Sequence, residues 1–131
     1  VTTPPRRFPA FAALAIDGAF VLLFVVIGRA THEEDRLLGA LVTYWPFAVG
    51  LLLGWLVFRG WRAPLALART ALPVWALTVA VGMLLRVASG QGVQPSFVIV
   101  TSIVLAVFLL GWRLAASLVL RRQSRRGLTL T

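Results

Sequence analysis

Four apolar runs, each about as long as the roughly 20 residues of a helical bilayer span, leave this chain few ways to fold. They cover about residues 10–28, 37–58, 65–87 and 96–120, and the links between them are short. Inside hydrocarbon every backbone N–H and C=O needs a partner within the protein, and a helix supplies it locally. Composition agrees: 60% of the 131 residues are hydrophobic and the mean hydropathy is +0.91. Soluble domains hold apolar usage near half. The expected fold is all-α: a polytopic membrane protein of four transmembrane helices, arranged as two antiparallel hairpins in one transmembrane domain over residues 1–131. The first run is too long for a signal-peptide core and lacks a small-residue cleavage site, so no cleaved leader is expected.

The first run, Ala10 to Gly28, carries one carboxylate near its middle, Asp17. An ionisable group at that depth is costly and normally faces protein or water with a partner. Asp17 is the only acid in any of the runs, and Arg113 is the only base in the fourth. Counted from Arg7 and Arg121, both lie roughly 12–15 Å from the same charge belt, at 1.5 Å per residue. Counted from the opposite ends, Arg113 comes out about 7 Å nearer that belt than Asp17, a gap its long side chain covers. The two are expected to pair between the first and fourth helices. Such a pair is either a packing clamp or a proton or substrate site.

The links punctuate the spans. Pro4, Pro5 and Pro9 delay the first helix until about Ala10. Pro46 and Pro73 fall inside the second and third helices and should bend them, which membrane helices tolerate when neighbours satisfy the freed carbonyl. Arg59 to Pro64 forms a tight basic turn, and Ser89 to Pro95 a turn made by its glycines and proline. The tail, residues 121–131, is basic and expected to be loosely ordered.

Charge sets orientation. Arg6, Arg7, Arg59, Arg62, Arg69, Arg121, Arg122, Arg125 and Arg126 fall on one side, and Arg29, Arg36 and Arg86 on the other. By the positive-inside bias both termini are expected in the cytoplasm, facing anionic lipids. The net charge of +9 is therefore explained by the bilayer, and no nucleic acid partner is expected. The opposite side holds an outer polar cluster of Arg29, His32, Glu33, Glu34, Asp35 and Arg86. It reads either as a solvated loop in which acids offset arginines or as a pH-sensing site at His32. In it Arg86 is expected to reach one of the acids. One histidine with adjacent carboxylates does not make a zinc site. No cofactor, metal or catalytic set is expected. Trp45, Trp55, Trp61 and Trp112 are expected as membrane-interface aromatics, where indoles concentrate, or as packing residues.

A weak repeat recurs at an offset of 57: Leu51-Leu-Leu-Gly-Trp55 matches Phe108-Leu-Leu-Gly-Trp112, and Arg29 falls on Arg86. Each copy holds two crossings, so the copies would be parallel hairpins about an axis along the membrane normal. Gly50 and Gly54 make a small-xxx-small pattern that lets helices approach closely.

Asp17, Gly28-Arg29 with His32, Trp45-Pro46-Phe47, Gly54-Trp55, Thr78, Gly82 with Arg86, Gly90-Gln-Gly92, Ser96-Phe97 and Gly111-Trp-Arg113 together resemble a small prokaryotic membrane family known as domain of unknown function 3054. The resemblance covers about Ala10 to Leu120 and implies a four-helix protein of the prokaryotic cell membrane, with no activity attached. The leading functional expectation is a non-catalytic subunit or packing partner in a membrane assembly, together with other membrane subunits or as a homo-oligomer. The alternative is a small oligomeric proton-coupled transporter using Asp17. One acid in the first of four short helices is also the layout of small multidrug exporters, an analogy of plan and not of motif.

Overall fold

The computed structural model describes residues 8–29 and 36–129, with side chains over 8–28 and 38–123. Four α-helices follow one another: α1 over Ala10–Arg29, α2 over Arg36–Val57, α3 over Leu72–Ala88 and α4 over Pro95–Thr129. Four helical stretches are long and apolar enough to cross a membrane, the third running over Leu67–Ala88 and so taking in the turn before α3. Among the described residues there is no strand.

The core is a column of apolar side chains that includes Ala13, Val21, Phe47, Leu51, Val74, Leu105 and Leu109. Much of the remaining surface is apolar and outward-facing, as at Leu41, Leu56, Ile103 and Val107. Lipid is as apolar as these side chains, so packing and polar cross-bonds hold the bundle rather than hydrophobic burial. The tightest seam joins α2 and α3. A Cβ at Gly50 would stand 2.9 Å from the Thr78 carbonyl oxygen, and one at Gly54 would stand 3.1 Å from Val74 Cα. Only glycine admits so close a backbone approach, so the Gly50–Gly54 pattern is a helix contact. Polar tips then brace the other seams. The Tyr44 hydroxyl donates to the Gly18 carbonyl (3.1 Å) across α1 and α2, and the Trp75 indole donates to the Ser102 carbonyl (2.9 Å) across α3 and α4.

Pro46 is fully buried inside α2. Its missing N–H frees the carbonyl four residues earlier, at Val42. Gln91 supplies the replacement, donating its amide to that oxygen at 3.1 Å. Gln91 can reach it because Gly90 and Gly92 take φ of 79° and 78° and turn the chain sharply between α3 and α4.

Two local expectations are corrected. The third helix does not run continuously from Pro64. A 3₁₀ turn, Gly60–Arg62, and a π-helical turn, Leu67–Ala71, come before α3. Pro73 cannot donate to the Arg69 carbonyl, and the wider π turn closes instead through the Ala71 N–H on the Ala66 carbonyl at 3.0 Å. The tail beyond Leu120 is not loose, since α4 continues to Thr129. No proline interrupts it, and a helix already nucleated upstream propagates readily through arginine, glutamine and leucine. Its 35 residues make about 52 Å at 1.5 Å each, well past a hydrocarbon core of roughly 30 Å.

Candidate functional site

Asp17 points into the bundle from α1 and is wholly inaccessible, as is Arg113 on α4. The two side chains meet as a fork. Arg113 Nη1 donates to Asp17 Oδ1 at 2.8 Å and Nη2 donates to Oδ2 at 2.6 Å. Two indoles complete the carboxylate's shell. Trp55 Nε1 on α2 donates to Oδ2 at 2.9 Å, and Trp112 Nε1 on α4 donates to Oδ1 at 2.8 Å. Each oxygen thus accepts two hydrogen bonds, which fills its lone-pair directions. Charge-assisted bidentate bonds are the strong ones, and they are stronger still where water is excluded.

The guanidinium is equally well held. Arg113 Nη1 also donates to the Leu109 carbonyl one turn back, at 2.8 Å, and Nε donates to the Pro64 carbonyl at 2.8 Å. The last bond carries the network out of the core to the turn between α2 and α3. That turn is braced again by Thr70 Oγ1, which donates to the Ala63 carbonyl at 2.6 Å. One buried node therefore ties together α1, α2, α4 and the Arg59–Ala66 turn.

Trp55 takes the packing role. It is 4% exposed, Trp112 is half-buried, and both spend their N–H on Asp17, because an indole donor in a dry interior needs an acceptor. Trp45 and Trp61 are exposed at 41% and 49%. Nothing in the spacing links Trp55 to an acid 38 residues away. The repeat at offset 57 was the available signal, since it equates the two tryptophans that converge on Asp17.

At the opposite end of the bundle lies a second polar feature. Arg86 Nη1 donates to Gln91 Oε1 at 3.1 Å, and its guanidinium lies 4.4 Å from the centroid of the Phe97 ring. Phe24, Phe47 and Phe97 cluster beside it with centroids 6.0–6.4 Å apart. A cavity of about 410 Å³ opens there, lined in part by Phe24, Thr43, Arg86, Ser96 and Phe97. Gln91, which grips both Arg86 and α2, carried no role in the sequence reading. His32, Glu33, Glu34 and Asp35, expected around Arg86, lie outside the described residues, as does the Arg29 side chain. Among the described residues no three His, Cys, Asp or Glu side chains gather to hold a metal ion.

Fold and site together define a four-helix, membrane-spanning type of bundle locked by one buried arginine–carboxylate node. The chain belongs to the family described as protein of unknown function (DUF3054), whose model matches residues 14–116 and so takes in both Asp17 and Arg113. No curated protein and no solved structure matches it.

Proposed function

We propose that this is a non-catalytic integral membrane protein, a subunit or packing partner in a membrane assembly, with both termini on the cytoplasmic side of a prokaryotic cell membrane. The observation that carries the reading is the saturation of Asp17. A proton-coupled site must exchange its proton with water at some point in the cycle. This carboxylate has zero accessible surface and four donors on its two oxygens. Giving up that shell would break the polar link between α1 and α4, which suits a clamp and not a carrier. Support for an assembly comes from α4. Ile99, Ile103, Val107, Leu114 and Leu118 are exposed along its outward side, and Gly111 has nothing within 4 Å of where a Cβ would stand. A face with an uncovered glycine accepts another helix closely.

The test is purification from native membranes in mild detergent with cross-linking, run beside proton flux in proteoliposomes of the pure protein. A stoichiometric membrane partner or second copy, with no flux that depends on Asp17, is the expected result. A monomer that sustains proton-coupled flux, lost in Asp17→Asn at unchanged melting temperature, would replace this reading with the transporter.

A further inference from the structure

We propose that the Arg59–Ala66 turn is a binding site for the headgroup of an anionic phospholipid. The segment from residue 59 to 69 holds Arg59, Arg62 and Arg69 and no acid, and all three arginines are exposed. Exposed charge alone is common at membrane surfaces. This turn differs because it is built. Arg62 N–H donates to the Arg59 carbonyl (3.0 Å), Ala63 N–H to Gly60 (3.3 Å) and Ala66 N–H to Ala63 (3.2 Å). Thr70 and Arg113 pin the Ala63 and Pro64 carbonyls from the helices beneath. Gly60 lies on the Trp55 ring so closely that a Cβ would stand 2.5 Å from it. Arg59 is held at φ 51°, ψ 56°, a left-handed conformation that a side-chain-bearing residue rarely adopts. Uncommon backbone of this kind persists where the surroundings impose it, and it clusters at ligand clamps.

Next to the turn is a cavity of about 710 Å³, lined by Phe8, Trp61, Arg62 and the chain from Ala63 to Ala66. A guanidinium matches phosphate oxygens in a bidentate fork. The surroundings choose a lipid over a soluble anion. Leu56, Val57 and Leu67 are exposed immediately below the turn, where acyl chains would run, and Trp61 stands half-exposed at headgroup level. Because the turn is fixed to the Asp17–Arg113 node through Pro64, a bound headgroup would also brace that node.

Delipidated full-length protein is titrated with phosphatidylglycerol, phosphatidylcholine and soluble glycerol phosphate, with native mass spectrometry counting retained lipid. Phosphatidylglycerol is expected to bind at least about tenfold more tightly than phosphatidylcholine, and glycerol phosphate not at all. Each surface arginine near anionic lipid is worth about fivefold in affinity. Arg59→Asn with Arg62→Gln should therefore weaken phosphatidylglycerol about 25-fold; asparagine tolerates the left-handed backbone at position 59. Arg121→Gln with Arg122→Gln removes the same charge from exposed positions on α4; delipidated protein carries single bound lipids and no charged surface, so arginines away from the headgroup should cost less than about threefold. If the first pair does not fold, Arg62→Gln alone carries the comparison. Equal losses from both pairs would reduce the effect to diffuse attraction, and binding of glycerol phosphate as tight as that of the lipid would make the site one for soluble anions. Either result overturns the proposal.

Discussion

Asp17→Asn removes one charge and almost no volume, so its cost can be worked from the node. Arg113 remains fully buried beside a neutral amide. Breaking a buried pair from one side costs about 3–5 kcal/mol. The amide also keeps only one acceptor oxygen. Its NH₂ must replace either Oδ1 or Oδ2, so it meets the N–H of Trp112 or of Trp55. A lost indole bond is worth about 1–2 kcal/mol here, between the average of about 0.6 for cross-helix bonds in membranes and the 1.5–3 for charged acceptors. The sum is about 4–7 kcal/mol, a large part of a typical stability of roughly 5–15. Asp17→Leu with Arg113→Leu removes both charges and recovers much of that loss. It does not recover all of it, because both indoles lose their acceptor, leaving a deficit of about 2–4 kcal/mol by the same values.

The assay is denaturant unfolding in mixed micelles followed by circular dichroism, since tryptophan fluorescence changes with the variants. Trp55→Phe and Trp112→Phe are made in the wild type and in the double-leucine background. Each should be milder in that background by about 1–2 kcal/mol, the coupling of its N–H to the carboxylate. An unchanged midpoint for Asp17→Asn would refute the clamp. Full recovery by the double-leucine variant, with tryptophan costs equal in both backgrounds, would refute the four-donor node.

Gly50→Ala should destabilise by about 1–3 kcal/mol, the usual cost of overpacking, because its Cβ meets α3 backbone at 2.9 Å. Gly111→Ala, with open space around it within the chain, should instead be neutral or gain up to about 1 kcal/mol of helix propensity in thermal melts of the chain separated from any partner. Arg86→Gln should lose about 1–2 kcal/mol in the same melts, from its bond to Gln91 and its stacking on Phe97; no change would mean that neither contact persists in solution. Reporter fusions at Gln94 and Thr131 should report opposite sides of the membrane, and matching signals would remove one span.

The four helices were legible because period and length carry them without any tertiary information. The partnership of Asp17 with Arg113 was legible too, since each is the lone charge of its sign deep in its run and depth can be counted from the ends. What could not be read was what an indole or an amide does across the bundle. Trp55 and Gln91 have no periodic signature, and their targets become visible only when helices are brought side by side. Pro46 came nearest to an exception: it demanded a donor for the Val42 carbonyl without saying which residue would provide it.

Residues paired at the offset of 57 share a burial pattern in the first helix of each hairpin and part from it in the second. At the offset of 57, buried Ala13, Asp17, Val21 and Val25 of α1 fall on Thr70, Val74, Thr78 and Gly82, which are buried as well. The second helices do not match in this way. α2 buries Gly54 and Trp55, but α4 buries Leu109 and Arg113 and leaves Gly111 outside. α4 is thus turned by about one residue, roughly 100°. That turn brings Arg113 inward at the position where α2 has an exposed Leu56. It also opens a glycine seam that is tight between α2 and α3. Trp55 and Trp112, equivalent in the repeat, still both require an acceptor, and one carboxylate serves them with one oxygen each. That turn of α4 gives Asp17 its counter-ion, so the departure from the repeat and the charge pair are the same feature.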